Sequence, residues 1–335
     1  MAMSSFSNSP RVPNAATSSR RLRDILLPVG LVGLVLIGLI GLAVATGWEE
    51  TIAAMRGLSI QQIIALLALS LVNYVLRGLR WHLFAGRLGL ATTLLQDLRH
   101  FVGGFAMSVT PGRIGELVRM RWIQRETGWP FDRTAPLVLV DRASDLSAMA
   151  VLLALAIAFS TTGIVGGLPV AILALIAAFI ATRPRLLRLV GDSGHRVSGR
   201  RFPRLFARVR RAAKSLGVFQ GPTILVAAGT LGVIGWLAEG WAFHLLLVWM
   251  GADIGFWSAV GIFIFATLAG GLTGAPGGLG GAEAAMVALL LGYGVPIEIA
   301  LPATLIIRLT TLWFAILIGF LVFPLAERHS KMSKI

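Results

Sequence analysis

The chain of 335 residues contains no cysteine, and only 13% of its residues are charged. The absence of cysteine excludes disulfide bonds, thiolate metal sites and a cysteine nucleophile. Hydrophobic residues make up 56% of the sequence, and the mean hydropathy is +0.82. No polar stretch is long enough to form a soluble domain. The composition therefore predicts an integral membrane protein built from apolar segments of about 20 residues.

Motifs of common enzyme classes are also missing. The sequence has no P-loop for nucleotides and no G-x-S-x-G nucleophile elbow. Its five histidines are scattered without the spacing of metal ligands. We therefore predict that the chain is not an enzyme and expect no catalytic residue, no metal ion and no cofactor.

The net charge of +15 is confined to stretches beside apolar segments. This distribution follows the positive-inside rule and argues against nucleic acid as a partner. The stretch from Arg183 to Lys214 holds eleven Lys and Arg residues against one acid, Asp192. Apolar residues from Phe202 to Leu216 recur there at helical spacing. We expect residues 183–217 to form a basic amphipathic segment on an anionic leaflet.

Six apolar stretches are predicted to cross the membrane completely. The first resembles a signal peptide at Ala43-Val44-Ala45, but its apolar run exceeds the usual 7–15 residues, so we interpret it as an uncleaved span. The predicted spans are Ile25–Gly47, Ile60–Phe84, Ala135–Ser160, Ile164–Thr182, Thr223–Met250 and Ile299–Phe323.

Two further hydrophobic segments are broken by glycine and proline. Leu98–Arg125 is interrupted at Pro111-Gly112, and Phe256–Leu291 is interrupted between Gly270 and Gly281. Irregular backbone at membrane depth is tolerated where protein or a water-filled cavity covers it. We predict that each segment forms a re-entrant helical hairpin. Charge distribution alone does not distinguish these hairpins from pairs of complete spans.

The two broken segments belong to an internal repeat. Residues Gly128 to Arg142 and Gly294 to Arg308 carry Gly, Pro, an acid, Pro and Arg in the same register, 166 positions apart. Paired, Gly/Pro-interrupted segments in two halves are typical of transporters. Each half would contain three full spans and one hairpin, and because three is odd, the second half would be inverted. The predicted fold is an all-α polytopic membrane protein with inverted-topology repeats.

Basic clusters place both termini in the cytoplasm. Arg77, Arg80 and Arg87 are assigned to the cytoplasmic end of the second span, and Glu298 to the outside. The predicted divisions are a polar basic tail (1–24), a first repeat (25–160), a second repeat (161–325, including the basic segment 183–217) and a cytoplasmic tail (326–335).

Ionisable residues inside a bilayer are candidates for a functional site because burying their charge is costly. Arg142 and Arg308 lie about 12 Å and about 15 Å from their span ends, at 1.5 Å per residue. With two half-helix N-termini they would form an anion site. The predicted substrate-binding residues are Arg113, Glu116, Asp141, Arg142, Asp145, Glu239, Glu283 and Arg308. The predicted hairpin tips are Pro111, Gly112, Gly115, Pro276, Gly277, Gly278, Gly280 and Gly281.

Each candidate also has a structural interpretation. Arg142 and Asp145 would form an i,i+3 ion pair, Glu116 would neutralise the first turn of its helix, and Glu239 would simply be packed and hydrogen-bonded. The glycines would allow close helix packing. Two arginines would reach water at the cytoplasmic mouth: Arg113 and Arg119. The pair of Arg142 and Arg308 fits this interpretation least, because the repeat places an arginine at the same position in both halves.

Three motifs together resemble a known family: Thr110–Glu116, Asp141–Asp145, and Pro276–Glu283 with Arg308 following. The chain resembles the flippase-like membrane domain of lysylphosphatidylglycerol synthases and its stand-alone relatives, from about residue 25 to 325. The resemblance implies a bacterial or archaeal membrane protein that moves a lipid between leaflets. The synthases carry a further aminoacyl-transfer domain, and because this chain ends about a dozen residues after the last span, we expect no lipid lysylation from it.

The predicted function is a flippase of the bacterial inner membrane that moves an anionic phospholipid or a lipid-linked phosphate. Its partners would be membrane lipids, and an oligomer is compatible with the sequence. Two alternatives stay open, an ion-coupled transporter of a small polar anion and a membrane scaffold without transport. A groove open to lipid would favour the flippase, a closed aqueous cavity the transporter, and a packed centre the scaffold.

Overall fold

The computed structural model describes residues 48–108, 110, 117–160, 167–197 and 216–332. Within these ranges all regular secondary structure is helical. Four of the described helices are long and apolar enough to cross a bilayer: Ile60–Leu88, Phe131–Phe159, Pro222–Trp249 and Ile297–Met332. The all-α, multi-pass membrane class predicted from the sequence is therefore confirmed.

The described helices are numbered in chain order. In chain order they are α1 (Trp48–Gly57), α2 (Ile60–Leu88), α3 (Leu94–Gly103), α4 (Val118–Thr127), α5 (Phe131–Phe159), α6 (Gly167–Thr182), α7 (Pro184–Val197), α8 (Pro222–Trp249), α9 (Phe256–Leu272), α10 (Gly281–Gly292), α11 (Ile297–Arg308) and α12 (Phe314–Met332). Short 3-10 turns occupy Gly104–Met107, Leu216–Phe219 and Pro276–Gly278, and a π turn occupies Leu309–Trp313.

The helix ends of the first half are set by local capping. The Ser59 hydroxyl accepts a hydrogen bond from the Gln62 N–H at 3.3 Å, and the Gln62 side chain accepts one from the Ser59 N–H at 2.8 Å. Thr93 and Gln96 form the same reciprocal pair at the start of α3. Gly89, with φ of 86°, ends α2. Satisfying the free N–H groups at each start fixes where these helices begin.

Three predicted spans correspond to α2, α5 and α8 with shifts of a few residues at their ends. The predicted span Ile164–Thr182 overlaps α6, whose 16 described residues make it one of the shorter apolar helices. The last predicted span is longer in the structure, because α11 continues through the π turn into α12 and ends only at Met332. The predicted span at 25–47 lies outside the described residues. Of the predicted basic segment, α7 is described and residues 198–215 are not.

The second broken segment folds as two short helices joined by a tight turn. The predicted interruption at Gly270–Gly281 coincides with the end of α9 at Leu272 and the start of α10. Gly277 has φ of 61°, and a Cβ there would lie 2.9 Å from the Leu312 side chain. Glycine is therefore favoured at this turn by its conformation, and a larger residue would also displace the end of the Leu312 side chain.

The first broken segment is described only on either side of its tip. Helix α3 passes into the 3-10 turn Gly104–Met107, and α4 begins at Val118. The predicted tip residues Pro111, Gly112 and Gly115 lie outside the described residues.

The order of elements recurs along the chain. A long helix, a broken pair of short helices and a second long helix occur once as α2 to α5 and again as α8 to α12. The repeated residues adopt matching local conformations. Gly128 and Gly294 both have positive φ (75° and 81°), and Pro130 and Pro296 both precede the following long helix. The repeated sequence pattern therefore corresponds to a repeated helix–turn–helix conformation.

Helix α8 lies at the centre of the packing. It contacts α2 along much of its length and also contacts α5, α9 and α11. One apolar core lies among α5, α8, α9 and α11 and includes Leu152, Phe243 and Ile262. A second core, rich in aromatic residues, lies among α2, α3, α4 and α5 and includes Trp81 and Phe101. The charged residues described next are buried between these elements.

Candidate functional site

A network of buried charges joins α2 to α5. Arg80 Nη2 lies 2.7 Å from Asp141 Oδ1 and 2.6 Å from Asp145 Oδ1. Arg77 Nη2 lies 2.6 Å from Asp145 Oδ2, and the indole N–H of Trp236 on α8 donates to Asp145 Oδ1 at 3.2 Å. The side chains of the four charged residues are at most 8% exposed. Two positive and two negative charges are thus balanced within three packed helices.

Helix periodicity explains how this network assembles. Arg77 and Arg80 are three residues apart on α2, and Asp141 and Asp145 are four apart on α5, so each pair lies on one helix face. The planar guanidinium group of Arg80 contacts both carboxylates at once, which a lysine ammonium would do less well. Two predicted site residues, Asp141 and Asp145, belong to this network.

Arg142 lies at the edge of the network. Its Nη1 atom is 3.9 Å from Asp145 Oδ2, and its side chain is 30% exposed. The i,i+3 contact with Asp145 that the structural interpretation proposed is present, but Arg77 and Arg80 hold that carboxylate more closely. Arg142 is therefore the least buried of the three arginines around Asp145.

A second buried ion pair lies at the turn of the other broken segment. Arg308, the last residue of α11, donates from Nε to Glu283 Oε1 at 2.6 Å and from Nη2 to the Gly277 carbonyl oxygen at 2.7 Å. The side chains of Arg308 and Glu283 are 7% and 10% exposed. Glu283 lies in the first turn of α10, where a carboxylate also stabilises the helix dipole. Arg308 thus connects the turn, through Gly277, and the start of α10, through Glu283, to the end of α11.

The π turn directly after Arg308 is bound to α2. The Tyr74 hydroxyl donates to the Thr311 carbonyl oxygen, and the Thr311 hydroxyl donates to the Ile307 carbonyl oxygen at 2.6 Å. A π turn shifts the backbone hydrogen-bond pattern and leaves carbonyl groups for outside donors. Tyr74 lies on the same helix as Arg77, so α2 contacts both the first charge network and the π turn that follows Arg308.

The remaining predicted residues fall into three groups. Glu239 is buried on α8, one turn after Trp236. Pro276, Gly278, Gly280 and Gly281 form the turn that Arg308 contacts, together with Gly277. Arg113 and Glu116 lie outside the described residues, as do the tip residues Pro111, Gly112 and Gly115.

Three arginines differ from their sequence assignment. Arg77 and Arg80 were assigned to a cytoplasmic helix end, but both are buried and paired. The structural interpretation placed Arg119 in contact with water, but it is 3% exposed and lies over the rings of Phe101 and Trp81, at 4.4 Å and 5.4 Å. Arg80 lies eight residues before the end of α2, or about 12 Å along the helix axis. This depth is the feature of the sequence that could have indicated its burial.

A cavity of about 530 Å³ opens beside the first charge network. Its walls come from α2, α5, α6 and α8, from the 3-10 turn Leu216–Phe219, and from Arg183 and Gln220. Most of the lining side chains are apolar, and Ser144 and Ser147 are the hydroxyl groups among them. The volume falls in the range of about 300–1,000 Å³ that is usual for ligand pockets.

Two comparisons with known proteins agree with this architecture. The family model described as the lysylphosphatidylglycerol synthase TM region matches residues 29–319. A UPF0104 membrane protein of Methanothermobacter thermautotrophicus (strain Delta H) is 32% identical over 89 residues. That alignment covers 27% of this chain and 27% of the relative, so it spans about a quarter of either protein.

Proposed function

The chain belongs to the family of the lysylphosphatidylglycerol synthase transmembrane region, and we propose that it moves an anionic lipid or a lipid-linked phosphate across the bacterial inner membrane. It would act as a transporter without covalent chemistry. The resemblance stated from the sequence motifs is confirmed by the family match, while the substrate and the transport are our proposal.

The contact of Arg308 with Glu283 and the Gly277 carbonyl carries the proposal. Arginine binds two oxygens of a phosphate through parallel N–H bonds, in the same way that it binds these two acceptors. A lipid phosphate that approaches the turn can therefore replace Glu283 and the Gly277 carbonyl as the acceptor of the Arg308 hydrogen bonds. The exchange would release the turn and leave Glu283 to be balanced or protonated.

Helix lengths support the proposed re-entrant arrangement. At 1.5 Å per residue, the 17 residues of α9 span about 26 Å and the 12 residues of α10 about 18 Å. Both are shorter than the hydrocarbon core of about 30 Å. A hairpin of these lengths would place the turn, and with it Arg308, inside the membrane. The recurring order of elements supports inverted repeats, in which Arg113, Glu116 and Arg142 would take the matching roles in the first half.

The apolar cavity supports a lipid more than a small polar anion. A small anion needs polar groups around its path, because desolvating its charge is costly. The cavity presents mainly apolar side chains and begins at exposed apolar helix faces, such as Ile176 and Phe179 of α6. This apolar lining would suit lipid tails that remain in the bilayer while the headgroup crosses.

A lipid-movement assay with two matched arginine variants tests the proposal. The purified protein would be reconstituted in vesicles with fluorescent phosphatidylglycerol, and quencher added outside would report transbilayer movement. We expect faster movement than in protein-free vesicles, and loss of that gain in Arg308→Gln. Arg328→Gln changes an exposed arginine on the same continuous helix and should keep the wild-type rate.

Two results would overturn the proposal. One is a wild-type rate equal to that of protein-free vesicles. The other is an unchanged rate in Arg308→Gln. Size-exclusion chromatography of each variant shows whether a lost rate comes from a folded protein.

A further inference from the structure

The cavity beside the first charge network extends from a polar mouth into the protein. One wall runs from Arg183, directly after α6, back along that helix to Leu175. This distance is eight residues, or about 12 Å. Phe84 of α2 and Leu225 of α8 form the facing wall near the mouth. The wall residues Leu175 and Leu225 are themselves partly exposed on the outer surface of their helices. The cavity is therefore a groove that opens sideways, towards the lipid, rather than an enclosed chamber.

Two arginines flank the mouth of the groove. Arg183 lines it, and its guanidinium carbon lies 5.0 Å from the centre of the Phe179 ring. Arg87 lies in the last turn of the helix that carries Phe84, and its Nη2 atom lies 3.4 Å from the position a Cβ of Gly221 would take, next to Gln220 of the mouth. Both arginines are exposed. The mouth therefore presents positive charge where a lipid headgroup would lie.

The inner end of the groove lies near the buried charge network. Ser144, Ser147 and Gly229 line this end. One helical turn beyond Gly229, a Cβ at Gly232 would lie 3.0 Å from Arg80 Nη1. That nitrogen is buried and has no hydrogen-bond partner among the described residues. The groove thus runs from exposed arginines to within about one helical turn of a glycine that lies against a buried arginine of the candidate site.

We propose that this groove binds one acyl chain of an anionic phospholipid, with the headgroup phosphate between Arg87 and Arg183. An acyl chain gains little from leaving one apolar medium for another, so selectivity must come from packing and from the headgroup. Basic residues beside the membrane surface attract anionic headgroups. The groove therefore selects by charge at its mouth and by shape along its walls. The inference rests on the proposed function for its lipid class, while binding itself requires no transport.

A substitution at Gly229 can fill the groove without disturbing the helix. A Cβ at this position meets no atom within 4 Å, so a leucine side chain would project into the open groove. Gly292, at the end of α10, also has open space around a Cβ and lies outside the groove, which makes Gly292→Leu the matched control. For the mouth, Arg87→Gln with Arg183→Gln is compared with Arg56→Gln, which changes an exposed arginine on α1.

Photo-crosslinking on the full-length protein in vesicles tests the binding site. The probes are phosphatidylglycerol and phosphatidylcholine with a photoreactive acyl chain, and labelled peptides are mapped by mass spectrometry. We expect phosphatidylglycerol to label the facing walls on α6 and α8 several-fold more than phosphatidylcholine does. Gly229→Leu should reduce this labelling several-fold, and the double arginine variant should abolish the preference for phosphatidylglycerol. Both control variants should label like the wild type.

The outcomes separate this inference from the proposed function. Even labelling of all lipid-facing helices, unchanged labelling in Gly229→Leu, or equal labelling by both lipids would overturn the binding site. Labelling as expected in a protein that moves no lipid would support the binding site and overturn the transport proposal. Lipid movement by a wild-type protein that shows none of the expected labelling would support the transport proposal and overturn the binding site.

Discussion

The ion pair between Arg308 and Glu283 allows a quantitative prediction about the central site. Replacing Arg308 with methionine leaves the Glu283 carboxylate buried without its partner, and Arg308 and Glu283 are only 7% and 10% exposed. Removing one partner of a buried pair typically costs about 3–5 kcal/mol. The Gly277 carbonyl also loses its donor, a loss of about 1–3 kcal/mol for a buried group. Because both losses occur at one turn, we do not expect them to add fully. The unpaired Glu283 carboxylate should contribute most, and the total loss of unfolding free energy should stay at about 5 kcal/mol.

Replacing both partners should recover most of this stability. In Arg308→Met with Glu283→Met no buried charge remains, and apolar replacements of buried ion pairs are often neutral or stabilising. Only the unpaired Gly277 carbonyl would persist, so a residual loss of about 1–3 kcal/mol is expected. Thermal unfolding of the wild type, both single variants and the double variant in detergent measures the coupling between the two residues.

Lipid movement measured on the same four proteins shows whether the pair is structural or binds substrate. If Arg308 grips a phosphate, the double variant is stable but inactive. Arg308→Lys should also lose activity, because lysine lacks the planar fork that engages two oxygens. A double variant with restored stability and full activity would refute the phosphate-binding role. An Arg308→Met protein as stable as the wild type would refute the ion pair itself.

Three further predictions address the first charge network, the topology and the basic segment. Arg80→Met should lower the unfolding temperature more than Arg142→Met, because Arg80 is wholly buried between two aspartates and Arg142 is 30% exposed; equal losses would contradict this. Single cysteines in the otherwise cysteine-free chain should be labelled from the cytoplasm at Gly128–Asp132 and from outside at Gly294–Glu298, and labelling from one side at both would exclude inverted repeats. A peptide of Arg183–Lys214 should bind anionic vesicles less as salt increases, whereas salt-insensitive binding to neutral vesicles would contradict its proposed role.

Much of the local structure could be predicted from sequence because it depends on neighbouring residues. Runs of apolar residues indicated α2, α5 and α8 within a few residues of their ends. The glycine-rich stretch before α10 indicated the break, because glycine adopts the positive φ found at Gly277 and Gly280 more readily than other residues do. The last long helix was underestimated at its C-terminal end, since polar residues after Phe323 ended the apolar run although the helix continues to Met332.

The partners of the buried charges could be predicted only in part. The repeat pointed to Arg308, and Glu283 was named beside it, but sequence spacing did not show that the same arginine holds the Gly277 carbonyl. Asp141 and Asp145 were named as site residues, while their partners Arg77 and Arg80 were assigned to a helix end. Both arginines lie more than 60 positions earlier in the chain than these aspartates.

The membrane class, the broken segments and the family follow from the sequence alone, because hydrophobicity, glycine conformation and short motifs are local properties. The tertiary structure is needed to show which charges meet, that Arg80 bridges two carboxylates, and that α2, α5, α6 and α8 line an apolar groove. These features depend on the rotation and depth at which separate helices pack. The sequence pattern around a basic residue near the end of an apolar helix is the same whether its side chain reaches water or a buried carboxylate. The packing of the neighbouring helix determines which of the two the side chain contacts.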